Sequence, residues 1–215
     1  IPSFIYNPDN LTIYAWNDTV EDPYVGIQGG SYLSGSSDGL ILVLEIPEME
    51  FDFNHMHRYS VIAHEYFHVY QMSLNESMRN NNFNIMWLIE GTSATFESIY
   101  MQNFYDYNYF IYDQNNISDQ VYSSPNVFEN YNTMDVNYSS AVFMTLVLVK
   151  ELVNLGHSEE DACKMIFQDF MTLSPSDQNW EFIFEETFGI SVPDFYEILQ
   201  SYPLNISQVL PSQSI

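Results

Sequence analysis

Two histidines and a glutamate stand at helical spacing in His64-Glu65-Tyr66-Phe67-His68, a pattern that can hold a metal ion and deprotonate a water beside it. At 3.6 residues per turn, positions i and i+4 share one helix face, so both imidazoles reach a common point while Glu65 projects next to it. Neutral imidazole nitrogens are common zinc donors, and a carboxylate next to an open coordination position can act as general base. The chain has only five histidines, and at that frequency the pattern arises by chance in about one such chain in a hundred. A single buried His or Glu is more often a hydrogen-bonded core residue; the combination is what points to a ligand set.

A zinc site needs at least a third protein donor. The segment Trp87-Leu88-Ile89-Glu90-Gly91-Thr92-Ser93-Ala94-Thr95-Phe96-Glu97 offers one, since Glu90 sits on a second apolar run that reads as a helix. The small residues after it let two helices approach closely. Between His68 and Glu90 lie 21 residues. Glu97 is either an acceptor that orients a ligand imidazole or an ordinary helix acid.

In this order and spacing the two segments resemble the gluzincin metallopeptidases, the thermolysin-like superfamily, and most closely the Trp-Leu-x-Glu-Gly form of its aminopeptidase-like members. The resemblance implies a gluzincin fold, zinc held by His64, His68 and Glu90, and Glu65 as general base. It also implies a tyrosine just before a later helix whose hydroxyl donates to the oxyanion of the tetrahedral intermediate. Tyr138, in Val136-Asn137-Tyr138-Ser139-Ser140-Ala141-Val142-Phe143, stands at that place. A phenol suits the task as a neutral donor with a pKa of about 10. The Lys-Gly that usually follows this tyrosine is Ser139-Ser140 here. With 17 tyrosines in the chain, a helix-start aromatic packed on the core is the competing reading, and Tyr131 is the reserve candidate. The run from Phe182 to Phe195 looks like the closing helices of such domains: Gly189 as a left-handed C-cap, then Ser191 as N-cap with Pro193 and Asp194 in the first turn. The resemblance spans roughly residues 40–199.

These residues need elements to position them. A chain of 215 residues, 46% hydrophobic and 17% aromatic, can bury one substantial core, and no linker or internal repeat argues for two domains. The expected class is α+β and mostly helical: a β-containing lobe over about residues 1–53, zinc-site helices over 54–104 and a helical lobe over 105–215. Alternating apolar runs at residues 11–16, 24–28 and 40–46 read as strands separated by turn clusters at 29–31 and 34–39, the last run as an edge strand beside the motif helix. Residues 56–74 contain no Pro or Gly and read as one helix whose buried side is supplied by Val61, Ile62, Ala63, Phe67, Val69 and Met72. Further helices are expected from Tyr138 toward Gly156, from a Ser158 cap through Phe170, and after Ser174-Pro175-Ser176-Asp177. Residues 75–84 and 105–137, rich in Asn, Tyr and Asp, read as loops around the cleft.

Composition excludes some functions. Four Lys plus Arg against 29 Asp plus Glu give a formal net charge of −25, which leaves almost nothing to neutralise phosphates, so no nucleic-acid partner is expected, and anionic membranes are disfavoured. The acidic surface reads as solvating, and it biases a cleft toward neutral or basic peptides. The apolar run 141–149 is too short to span a bilayer and reads as a core helix, so no membrane span is expected. The lone Cys163 cannot form an internal disulfide and reads as an inert buried thiol. As the chain begins at Ile1 rather than Met, a signal or pro-segment that was removed or not included is an expectation. Six sequons start at Asn10, Asn17, Asn75, Asn116, Asn137 and Asn205. About three would arise by chance, so an extracellular or cell-surface glycoprotein is expected.

The expected activity is zinc-dependent hydrolysis of peptide bonds in a peptide or protein substrate. The alternative from another class is a cell-surface structural or binding protein that keeps the scaffold without turnover; the retained Glu65 argues against it. The Gly-x-Met-Glu-Asn signature by which aminopeptidase-type gluzincins anchor a free amine is missing. In its place residues 29–32 and 41–45 offer an apolar strand edge for an extended backbone, with Glu45 read as a solvated strand-end acid. Internal cleavage is therefore expected rather than stepwise N-terminal trimming.

Overall fold

The first and third alternating runs form strands, β1 (Leu11–Asn17) and β3 (Gly39–Ile46), paired in parallel with Leu11 opposite Leu40 and Asn17 opposite Ile46. The computed structural model describes residues 11–21, 23–36, 39–130 and 137–212; Asn10 and Tyr131 lie outside these. The middle strand corrects the sequence reading. Residues 24–28 are turns and irregular chain, and β2 (Ser31–Ser36) occupies what read as turn clusters. It pairs antiparallel with β3, Ser31 opposite Leu44 and Ser36 opposite Gly39. Tertiary pairing overrides poor strand propensity here: β3 is the most buried strand, and β2 precedes it so closely in sequence that pairing the two costs little chain entropy. The sheet order is β1-β3-β2, so the run at 40–46 is the central strand and β2 is the terminal strand next to the motif helix.

After α1 (Glu48–Asp52), helix α2 (His57–Leu74) carries the histidine motif, with Val61, Ala63, Phe67 and Val69 buried, Met72 half-buried and Ile62, against the sequence reading, exposed, and α4 (Met86–Tyr105) carries Glu90. Between them α3 (Glu76–Arg79) is a single turn capped by Asn75. The segment 105–137 is not pure loop, because it contains α5 (Tyr109–Tyr112), α6 (Gln120–Ser123) and a 3-10 turn over Pro125–Glu129. Helix α7 (Tyr138–Asn154) is capped by Asn137, whose side chain accepts from Ser140 N–H. The Ser158 cap starts α8 (Glu159–Lys164), which runs through a π-helical turn over Met165–Asp169 into α9 (Phe170–Thr172). Helix α10 (Trp180–Phe188) begins later than its sequence signal: the Asp177 carboxylate accepts from Asn84 N–H and Nδ2 at 2.7 and 2.8 Å, tying down the 75–84 segment instead of capping a helix. Gly189 ends α10 at φ +69°, and Ser191 caps α11 (Val192–Leu199) as expected.

Helix α7 is the centre of the helical lobe, with every residue from Ser139 to Val149 buried. Helix α4 lies between α2 and α7 and is buried on both sides. Gly91 permits its approach to α7, since a Cβ there would stand 2.6 Å from the Ala141 carbonyl oxygen. Trp87 stacks on Phe195 and meets Phe184 edge-on, joining α4 to α10 and α11. The 141–149 run is core, and among the described residues no helix is long and apolar enough to cross a membrane. Of the sequons, Asn75 is fully buried and Asn137 is a cap, while Asn116 and Asn205 are exposed.

Candidate metal centre

Helix α2 presents His64 and His68 one turn apart toward α4, and α4 brings Glu90 back to the same point. The Glu90 Oε2 atom lies 3.0 Å from His64 Nε2 and 3.3 Å from His68 Nε2, and the two Nε2 atoms are 3.2 Å apart. An ion held tetrahedrally at about 2.0–2.1 Å from each donor separates the donors by about 3.3–3.4 Å, so the triangle needs only slight relaxation to hold a zinc-sized cation. Among the described residues this is the one such convergence of metal-ligating side chains, and all three are buried.

The hydrogen bonds behind the triangle test whether these atoms suit a cation. His64 Nδ1 lies 3.0 Å from Glu97 Oε2, and His68 Nδ1 lies 2.7 Å from Gln71 Oε1. A neutral imidazole carries one N–H, and when Nδ1–H donates outward, Nε2 turns its lone pair inward. Two lone pairs and a carboxylate oxygen then face each other in a buried space, which requires a cation or a proton between them. Two imidazoles and one carboxylate are a donor set that suits zinc and leaves a coordination position open. Glu97 is therefore not merely a helix acid, since its carboxylate stands behind His64 at hydrogen-bond distance.

Charge follows the same geometry. Burial alone would lower the His64 pKa, but the hydrogen bonds to Glu90 and Glu97 and their charges outweigh it and push it up to about 10. For Glu90 burial works upward, and the hydrogen bonds to His64 and His68 overcome it, holding the carboxyl well below the usual carboxylate range. Both shifts favour a proton held within the triangle, and a divalent ion binding there would have to displace it.

Two cavities meet at the triangle. One, of about 300 Å³, is lined by Leu33, Met72, Met78, Phe83 and Ile89 among others. The other, of about 730 Å³, includes Glu45, His57, Asp113, Asn116 and Asn137. Both share Ser31 of β2, His64, Glu65 and Tyr138, so these four line the point where the cavities join. Burial raises the Glu65 pKa, partly offset by His68 and His64, which brings a carboxylate base closer to neutral pH. Tyr138, the first residue of α7, has its ring 5.8 Å from that of His64. The Tyr138 residue is 41% exposed, but desolvation of its hydroxyl, followed by the charges of Glu90, Glu65 and Glu97, raises its pKa, which favours a neutral O–H that can donate. The reserve Tyr131 lies outside the described residues. Glu45 differs from its sequence reading: it is half-buried and accepts from Gly30 N–H at 2.7 Å and Trp16 Nε1 at 3.2 Å, because the β2–β3 pairing folds the Gly30 turn over it.

Three residues of the centre were not singled out from sequence. Gln71 and Ser93 both contact His68 Nδ1, and Tyr109, against Ser60 Oγ, has its pKa raised by burial and then by the Glu97 charge. Gln71 has a legible signal, since it stands at i+3 from His68 on the ligand face; Tyr109 comes from a segment with no periodicity to place it. No protein-family model, no curated protein and no solved structure matches this chain.

Proposed function

We propose that this chain is a zinc-dependent peptidase of the gluzincin type. The observation that carries the reading is the convergence of His64 Nε2, His68 Nε2 and Glu90 Oε2 within 3.3 Å of one another, with a buried Glu65 beside them at the junction of two cavities. Zinc bound there acts as a Lewis acid toward a water and the scissile carbonyl. Glu65 takes the attacking water's proton and passes it to the leaving amine. Tyr138 donates its O–H to the carbonyl oxygen as negative charge develops there. The terminal strand β2 offers its backbone to an extended peptide, replacing the strand at 40–46 in that role, and supports internal cleavage. The exposed sequon asparagines Asn116 and Asn205 support an extracellular or cell-surface setting.

The test is cleavage of one peptide in two forms, with free and acetylated N-termini, read by mass spectrometry with and without a chelator. Chelator-sensitive internal cuts in both forms are expected. Cutting of the free-amine form alone, one residue at a time, would replace endopeptidase by aminopeptidase, and cleavage indifferent to chelation would end the zinc reading.

A further inference from the structure

Gln71 is fully buried one turn after His68, and its amide can stand in only one orientation. Its Nε2 lies 3.0 Å from the Ile89 carbonyl oxygen, which can only accept, and 2.8 Å from Thr92 Oγ1, whose own proton goes to the Leu88 carbonyl at 2.6 Å. The amide nitrogen therefore faces α4 and Oε1 faces His68 Nδ1 at 2.7 Å. Ser93 Oγ, 3.1 Å from the same Nδ1 and 2.9 Å from the Ile89 carbonyl, adds a second acceptor for His68. Both oxygens are served by an imidazole that carries its proton on Nδ1, which leaves the Nε2 lone pair aimed at His64 and Glu90. The same amide bonds α2 to the carbonyl of the residue immediately before Glu90, so it also sets the distance between His68 and the carboxylate.

We propose that Gln71 is a positioning residue that holds His68 in the Nδ1–H tautomer and clamps α2 to α4, so that the pocket is formed before a metal enters. This rests on the reading of His64, His68 and Glu90 as ligands. None of the Gln71 hydrogen bonds involves a metal, so the arrangement exists in the metal-free chain, and binding then requires no reorientation of the ring. Outer partners of ligand histidines typically change metal affinity by about 10–100-fold.

The direct test uses metal-free protein labelled with 15N-histidine at mildly alkaline pH. Two-bond proton–nitrogen correlation spectra separate the two tautomers, and five histidines keep the assignment tractable. His68 as the Nδ1–H form is expected; an Nε2–H form or a rapid mixture would overturn the proposal. Two variants then separate positioning from packing. Gln71→Met keeps the length but loses the acceptor and both donors, whereas Gln71→Glu keeps the acceptor for His68 and loses the donors to α4. Zinc affinity is expected to fall about 10–100-fold in Gln71→Met, which loses both the acceptor and the clamp, with an altered visible spectrum of the cobalt-loaded protein, and to fall clearly less in Gln71→Glu, which loses the clamp alone, although both melt earlier. Equal affinity losses in the two would make Gln71 a structural filler and overturn the proposal. If neither variant folds, the wild-type spectrum still decides. Wild-type protein with His68 locked as Nδ1–H that nevertheless binds no zinc would sink the ligand reading alone.

Discussion

Helix α4 buries two sides, and they are built differently. Toward α2 it sets Glu90, Ser93 and Glu97, each hydrogen-bonded to a group on α2 or to its own backbone. Toward α7 it sets Gly91 against the Ala141 backbone and Thr145, and Trp87 joins the aromatic cluster of Phe184 and Phe195. The second side is close packing, whose cost when disturbed appears as stability. The first side buries paired polar groups at the risk of leaving one unsatisfied, and such groups give up stability that an apolar contact would supply. The difference is one of kind: close packing accounts for the α7 side, while the α2 side gathers lone pairs that a proton or a cation can satisfy, which is what the proposed metal centre would use.

Breaking the α2 side should cost metal and activity before fold. The largest effect is expected from His68→Ala or Glu90→Gln, in which zinc content measured on purified protein drops from one per chain toward none and turnover goes with it. Glu65→Gln keeps size and hydrogen bonding but removes the proton acceptor. Turnover should fall by roughly 10²–10⁴-fold with zinc content and melting temperature retained, and activity near the parent level would remove Glu65 as the base. Tyr138→Phe should lose about 10²-fold in kcat with KM little changed, as for one oxyanion donor.

The α7 side should respond the other way. A Cβ in Gly91→Ala meets backbone that cannot move aside cheaply, so a loss of about 1–3 kcal/mol is expected in a denaturant titration, with zinc per folded molecule unchanged. Loss of zinc in parallel with stability would erase the distinction between the two sides. The smallest effect is one of pH on metal-free protein. His64 has its folded pKa raised from 6.5 to about 10, so its proton stabilises the fold fully below pH 6.5, and that contribution is lost as pH rises toward 10. Melting temperatures of the metal-free form should decline across that window, while the zinc-loaded form, its proton displaced, should not show this decline.

Periodicity made the helices legible. The uninterrupted run around His64 and the apolar run around Glu90 fix two helices, and i, i+4 spacing then places His64 and His68 on one face, so the histidine half of the cluster was legible without coordinates. Caps such as Ser158 and Ser191 were equally readable because their hydrogen bonds are local. What depends on long-range pairing was not. Strand β2 is made of Ser, Gly, Tyr and Leu and exists because β3 offers it a ladder, so no local signal marks it. Asp177 looked like a helix opener because its bond to Asn84 spans 93 residues. Tyr109 belongs to the centre through a contact across elements, which spacing alone does not show, whereas Gln71 stands at i+3 from His68 and was open to reading from spacing.

The claim on which everything else depends is that His64, His68 and Glu90 hold one zinc. X-ray absorption at the zinc edge on stoichiometrically loaded protein, wild type beside His68→Ala, tests it directly. The expected wild-type result is one zinc per chain with imidazole nitrogens at about 2.0–2.1 Å and a carboxylate oxygen at about 2.0 Å, and the variant should lose one of the two imidazole nitrogens and tight binding. A wild-type chain that takes up no zinc, or a metal shell that is the same in the variant, would contradict it.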